Sequence, residues 1–279
     1  MRVLPFTIPK HTKDALILQR DVQPAFYGSL HQHPEYQISL VREGAGNLIA
    51  GDGMSSFQAG DVVVLAGNLP HVFNSHEMVE QNADMQTIFF TKDSFGTDFF
   101  ETEELRSTKK LFKHAEMGYM VRDTDGQIAN LFDSIWTANK LDRFILFIKL
   151  LGVLSKGTHQ LLAPTAPVKA YSENEGKRMR KVIEYTLQHY PDRITLESIA
   201  TEAAMTKNAF CKYFKGRTRK SYFTFLNEIR VEQAVRLLQE ERELTIAEIA
   251  ERCGFRNISN FNRTFRNIKG GKPSEYRTV

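Results

Sequence analysis

The C-terminal part of this sequence repeats itself at a spacing of about fifty residues, a period that few folds accept in only two copies. Thr195-Leu-Glu-Ser-Ile-Ala200 matches Thr245-Ile-Ala-Glu-Ile-Ala250, while Phe210, Phe214 and Phe225 match Phe261, Phe265 and Tyr276. A solenoid needs further copies to bury a continuous core, so two copies point to a pair of compact modules. Each copy reads as a short helix opened by a threonine cap, with Thr245 and Glu248 forming a Thr-x-x-Glu capping box. A small residue, Ala200 or Ala250, leads to a turn at Ala203-Ala204 or Cys253-Gly254 and then to a second helix. That pattern lets two helices cross closely, as a helix-turn-helix requires.

The second helix of each copy carries a face that packing does not explain. Phe210, Tyr213 and Phe214 share one stripe, which turns Lys207, Asn208, Cys211, Lys212 and Lys215 outward. In the other copy Ile258, Phe261 and Phe265 are expected to face inward, leaving Ser259, Asn260, Asn262, Arg263 and Arg266 outside. Amides and cations reach base edges and phosphates, and neither face holds an acid. Between the copies, Phe225, Ile229, Ala234, Leu237 and Leu238 recur with helical spacing over Thr224 to Leu238. A rod of about 25 Å would set two readers near the ~34 Å turn of B-DNA.

Arg230-x3-Ala234-x2-Leu237-Leu238, Ile249-Ala250-x3-Gly254-Phe255, Phe261-x-Arg263-x-Phe265 and Pro273-x2-Tyr276-Arg277 resemble the AraC/XylS family of bacterial transcription regulators. The resemblance implies two helix-turn-helix units in one monomer. Asn208, Lys212, Ser259, Asn260, Asn262 and Arg263 are then the expected base readers, and Thr206, Lys207, Lys215 and Arg266 the expected phosphate contacts. Cys211 departs from the longer polar reader often found at its position, and Cys253 reads as a small packing residue. Arg219 stands where the family usually places glycine, so the turn there is either altered or shifted to Gly216.

Charge follows the same division. Residues 172–279 hold 21 Lys+Arg against 14 Asp+Glu, whereas residues 1–171 hold 16 against 19. A basic third on a slightly acidic body nominates a polyanion as partner. Prolines 164 and 167, with Ser172 to Gly176, mark an exposed connection. The expected domains are therefore residues 1–162, a linker at 163–176, and an all-α DNA-binding part at 177–279.

Ahead of the linker, short β-prone runs alternate with glycine turns: Tyr36 to Val41, Asn47 to Ala50, Val62 to Leu65, His71 to Phe73 and Thr87 to Phe90. They predict a small barrel or sandwich. From Gly126 to Leu162 the period lengthens, and Leu141, Phe144, Ile145, Ile148, Leu151 and Leu154 predict amphipathic helices. The fold class is thus α+β multidomain, a β-barrel with dimerisation helices followed by an all-α domain of two helix-turn-helix units.

His31, His33, Glu35, Gln37 and Ser39 share one parity of an extended run, making one wall polar. His-x-His, then Gly60-Asp61, then Pro70-His71 resembles the cupin barrel that many AraC-type regulators carry before their DNA-binding part. By that resemblance His31, His33, Glu35, Gln37 and His71 form an effector pocket, with a sugar or other small polar metabolite as ligand. Cupin enzymes hold a divalent metal with two histidines, a carboxylate and a later histidine. Here His31, His33 and His71 are the corresponding imidazoles, but neutral Gln37 replaces the carboxylate, so no metal or other cofactor is expected. His76, His114 and His159 have no partner at suggestive spacing.

The expected function is ligand-responsive, sequence-specific DNA binding, not catalysis; the alternative is a metal-dependent cupin enzyme with an accessory helical domain. Double-stranded DNA, a small-molecule effector, a second copy of the chain and RNA polymerase are the expected partners. The longest apolar stretch, Phe144 to Leu154, is half of what a bilayer span needs. With no export signal visible and two cysteines, Cys211 and Cys253, a cytoplasmic location is expected.

Overall fold

The computed structural model describes residues 14–75, 82–163 and 173–277, which fall into two compact units, 1–173 and 174–279. Most of the expected linker and His76 lie outside the described residues.

The first unit holds two antiparallel sheets. Strands β1 (Ile17–Gln23), β2 (Tyr36–Glu43), β5 (Asp61–Leu65), β7 (Ala83–Phe90), β8 (Tyr119–Arg122) and β9 (Gln160–Leu161) form the larger, in the order β1-β7-β2-β5-β8-β9. The smaller has the order β4-β3-β6, from β3 (Ala45–Ala50), β4 (Gly53–Gln58) and β6 (His71–Ser75). All five β-prone runs of the sequence are strands. Strands β1, β4, β8 and β9 carried no clear apolar alternation and are additional to the expectation.

Alternation in β2 assigns its two faces. Tyr36, Ile38 and Leu40 pack with Val62, Val64, Ile88 and Phe90 in one buried cluster, which also receives Phe132, Ile135, Phe147, Leu150, Leu151 and Leu154. Those last residues belong to α2 (Gln127–Thr137) and α3 (Lys140–Lys156), which with α1 (Lys109–Ala115) cover that face of the sheet. The opposite face gives Val41, Val63, Leu65 and Met85 to a second cluster with Leu48, Phe57 and Phe73 of the smaller sheet. Burial on both faces explains why β5 is the unbroken run Val62-Val63-Val64-Leu65. Asp61 at its start is buried, and Arg122 of β8 meets its carboxylate at 2.7 Å.

Helix α3 splits the apolar stripe read from the sequence. Leu151 and Leu154 are fully buried, joined by Phe147 and Leu150, whereas Leu141 and Ile145 are 68% and 55% exposed.

The second unit is helical: α4 (Glu173–His189), α5 (Leu196–Glu202), α6 (Lys207–Thr218), α7 (Tyr222–Glu240), α8 (Ile246–Arg252) and α9 (Ile258–Lys269). Capping chemistry sets these boundaries. Thr245 and Glu248 make the reciprocal box foreseen at α8, and Thr195 makes one with Ser198 at α5. Thr206 caps α6, and Asn257 caps α9 by accepting from the amides of Ser259 and Asn260. At 19 residues α7 is about 28 Å long.

Arg219 resolves the departure noted in the sequence. It ends α6 in the left-handed conformation (φ 58°), as Gly270 ends α9 (φ 79°), and Gly216 stays inside α6. The turn is kept rather than shifted, with a Cβ where none is favoured. Arg219→Gly is expected to stabilise the second unit by about 0.5–1 kcal/mol, less than the full αL cost because glycine also loosens the unfolded chain. Urea unfolding of the full chain checks this; an unchanged or lower midpoint contradicts it.

Candidate effector pocket and nucleic-acid interface

In the second unit the residues expected to read bases sit on helices anchored by a phenylalanine pair. Phe210 and Phe214 of α6 are buried with ring centroids 5.6 Å apart, and Phe261 and Phe265 of α9 repeat that spacing. Seating those rings turns the opposite face out, and Asn208, Cys211, Lys212 and Lys215 on α6 are exposed. Ser259, Asn260, Asn262, Arg263 and Arg266 on α9 are exposed likewise.

Ile258 corrects the sequence reading: it is 41% exposed instead of facing inward, because Phe255 of the preceding turn packs on Phe261 at 5.1 Å. Arg263 donates to Oδ1 of Asn260 at 3.0 Å, so the two side chains meet one helical turn apart. Lys207 pairs with Glu197 of α5 at 3.2 Å, an acid that a scan of α6 alone did not see. Thr206 uses its oxygen to accept from the Ala209 amide, leaving its hydroxyl hydrogen to donate elsewhere. Cys253 is fully buried, and burial pushes its thiol up to about 12, consistent with packing.

In the first unit the polar residues of β2 point between the two sheets. Gln37 donates to Ser39 Oγ at 2.8 Å, and Ser39 Oγ lies 2.9 Å from Thr87 Oγ1 of β7. His33 is buried beside them, its Nε2 3.1 Å from Gln37 Oε1 and its Nδ1 3.0 Å from the Glu35 carbonyl. A neutral ring has one N–H, so it serves only one of these acceptors at a time.

His31 and His71 meet through an isolated antiparallel bridge, with ring centroids 4.3 Å apart. The His31 Nδ1 faces the Ser29 carbonyl at 2.9 Å and the His71 Nδ1 the Leu69 carbonyl at 2.8 Å. Donation there leaves the lone pair on Nε2 in both neutral rings. His71 Nε2 is buried and has no hydrogen-bond partner among the described residues.

Next to this cluster lies a cavity of about 150 Å³ whose polar lining is Gln19, Asp21 and Gln23 of β1, Tyr27, His31, Gln37 and Thr87, with Phe26, Phe73, Met85 and Phe89 among its apolar walls. Of the five residues expected from the sequence, His31 and Gln37 line the cavity, and His33 and His71 sit behind it against His31. Glu35 does not line it, which corrects the expectation; its carboxylate instead lies 3.7 Å from His33 Nδ1. Tyr36 already begins the strand, so the alternation assumed for residues 31–35 does not apply. Gln19, Asp21, Tyr27 and Thr87 were missed, because β1 pairs with β7 from far away in sequence.

One ring nitrogen from each of His31, His33 and His71 lies within 4.8 Å of the others. Metal–imidazole bonds of 2.0–2.1 Å set ligand nitrogens about 3.3 Å apart in a tetrahedral site, so the three rings would have to draw together to share an ion. The donor set suits a transition metal, although it brings no negative charge.

Burial lowers the pKa of His71 well below the usual histidine value of 6.5, with His31 and His33 adding to the effect. His33 is lowered too, by burial first, against the opposing pull of Gln37 and Glu35. Both rings take up protons later in the folded state than in the unfolded chain. The stability of this unit is therefore expected to be complete above pH 6.5 and to fall as the pH drops below it. Thermal melts between neutral and mildly acid pH check the sign, and a midpoint that rises on acidification contradicts it.

His114 and His159, which the sequence left without partners, are brought together with Nδ1 atoms 2.7 Å apart, and His159 stacks on Tyr119 at 4.2 Å. They lie on α1 and beside β9, outside the pocket. No helix among the described residues is long and apolar enough to cross a membrane.

The AraC-like ligand binding domain family matches residues 15–139, and a helix-turn-helix domain family matches residues 199–278. The transcriptional activator RhaS of Citrobacter koseri is 27% identical over 157 residues, 56% of this chain and 53% of that protein. RhaS of Shigella sonnei is 22% identical over 255 residues, 88% of this chain and 86% of its own. The crystal structure of the DNA-binding domain of AdpA with a target DNA is 32% identical, covers 34% of this chain and 86% of that one, and has a TM-score of 0.33. Across the first curated relatives the match spans 35% to 53% of their lengths. The chain therefore carries an AraC-like ligand-binding domain followed by a helix-turn-helix domain, and its relatives are AraC-family transcriptional regulators such as RhaS.

Proposed function

We propose that the chain is a ligand-responsive regulator that reads duplex DNA through α6 and α9. The observation that carries this reading is the pair of exposed amide-and-cation faces, each set on a buried phenylalanine pair and each on a helix with no acid of its own. Asn208 and Lys212 on α6, and Ser259, Asn260, Asn262 and Arg263 on α9, read base edges. Thr206, Lys207, Lys215 and Arg266 hold phosphates, which position the protein without reading sequence. Selection from a random duplex pool by the full chain tests it: enrichment of one bipartite sequence is expected, and no enrichment above background contradicts it.

The effector binds between the two sheets. Asp21, Gln37, Thr87 and His31 offer mostly acceptors, which suits a ligand rich in hydroxyl donors such as a sugar or a related polyol. Typical ligand pockets begin at about 300 Å³, so a cavity of this size calls for a small molecule or a slight opening of the wall. A second reading of the same pocket is favoured by the convergence of His31, His33 and His71: a divalent transition metal held by three imidazoles. Elemental analysis of the purified full chain separates the two, stoichiometric metal supporting the second.

Self-association runs through α3. Leu141 and Ile145 stand one turn apart on its outer face and form an exposed apolar pair among the described residues. Sedimentation of the full chain is expected to show a dimer, and joint substitution Leu141→Lys and Ile145→Lys a folded monomer. A wild-type chain that sediments only as monomer at tens of micromolar contradicts the assignment.

A further inference from the structure

Both helix-turn-helix units pack on α7, and one side chain of that helix ties them to each other. Arg230 extends from α7 to the loop between α4 and α5, which leads into the first helix-turn-helix. There its Nε donates to the Tyr190 carbonyl and its Nη2 to the Asp192 carbonyl, both at 2.8 Å. The planar fork of arginine suits two such acceptors, and the cation lies just past the C-terminus of α4, where helix carbonyls favour positive charge.

The other side of the same guanidinium meets the second helix-turn-helix. It lies over the Phe255 ring at 5.9 Å, and Phe255 in turn packs on Phe261 of α9. Beside it Gly254 turns with φ 81°, and a Cβ there would come within 2.7 Å of the Tyr190 and Pro191 carbonyls and 3.0 Å of Arg230 Nε. The turn of the second helix-turn-helix is therefore pressed against the loop that opens the first, with Arg230 between them. A groove of about 930 Å³ runs alongside, lined by that loop, by α7 and by the second helix-turn-helix.

We propose that Arg230 is the positioning residue that fixes the separation and rotation of the two reading helices, by joining the turn of the second helix-turn-helix to the entry loop of the first. Deleting the fork frees the second helix-turn-helix to swing about α7 without unfolding either one, since Phe210, Phe214, Phe261 and Phe265 keep their own burial. The joint exists whether or not DNA is the ligand. Its consequence, recognition of two DNA segments at one spacing only, rests on the reading of α6 and α9 given above.

Pulsed electron paramagnetic resonance on the full chain tests the joint directly. Cys211 on α6 is free and exposed, Cys253 is buried, and Asn262→Cys supplies a second label on α9. The arginine-bearing protein is expected to give one narrow inter-label distance. In Arg230→Ala that single peak is lost to a broad distribution, and Arg230→Lys, which keeps the charge without the fork, broadens too. Should Arg230→Ala fail to fold, Gly254→Ala perturbs the joint from its other side. A distance peak that stays as narrow in the folded arginine variants, with only the melting temperature lowered, overturns the proposal and makes Arg230 a stability residue.

A second arm reads the consequence. Inserting one base pair between the two segments of a selected duplex rotates them by about 36° and should cost the wild type roughly tenfold in affinity. In Arg230→Lys that penalty is expected to shrink toward none. A penalty of the same size in the variant counts against the proposal. Failure to select any duplex would instead strike the DNA reading and leave the resonance result to decide on Arg230.

Discussion

Arg263→Ala is expected to weaken binding to the selected duplex by about 1–3 kcal/mol and to relax preference at one base pair. Arg263 stands near the middle of the exposed face of α9, already joined to Asn260, and Phe261 and Phe265 turn this face away from the core. Arg266 lies one turn further on, in the last turn of the helix. Arg266→Ala is expected to lower affinity for selected and random duplexes equally, and to flatten the salt dependence by about one unit. Anisotropy titrations at several salt concentrations on both duplexes separate the two. If Arg263→Ala lowers both affinities in parallel with base preference intact, Arg263 holds a phosphate and the rotation assigned to α9 is wrong.

His71→Ala is expected to abolish stabilisation by the pocket ligand, an effect of about 2.7 kcal/mol when the ligand is at a hundredfold its Kd. The ring is 1% exposed and braces His31, which lines the cavity, through a 4.3 Å contact. Gln37→Leu should do the same from the cavity side, because Gln37 links His33 to Ser39 and Thr87. Thermal shifts of the full chain across a panel of small polyols give the readout. A ligand that still stabilises both variants as it does the wild type binds elsewhere, and the pocket assignment fails. Metal lost from His71→Ala but present in the wild type would instead favour the three-imidazole reading.

Local signals carried the second unit almost whole. Threonine caps, a glycine turn and phenylalanines one helical turn apart each act within a few residues, so Thr245, Gly254, Phe261 and Phe265 were legible without any long-range information. Ile258 was misread for the same reason: its spacing fits the stripe, but Phe255 from outside the helix already fills the space over Phe261. Lys207 shows the limit from another side, since its partner Glu197 sits on the neighbouring helix.

The pocket was only half legible. Gln37 and Ser39 alternate with Tyr36 and Ile38, and β2 obeys that period, so the polar wall could be read. Its opposite members come from β1 and β7, brought together by pairing between residues about seventy positions apart, as Gln19 with Thr87. Gln19 and Asp21 also sit in a strand with weak apolar alternation, because one of its faces supplies polar groups to the cavity. The partnership of His114 and His159 was invisible for a similar reason, as it depends on where β9 returns to β8.

Measuring DNA affinity with and without the pocket ligand, and ligand affinity with and without DNA, tests the central claim that one chain couples an effector pocket to sequence reading. The account predicts a change of roughly 5–150-fold, equal in the two directions because binding linkage is reciprocal. Identical affinities in the presence and absence of a ligand that demonstrably fills the pocket would contradict it.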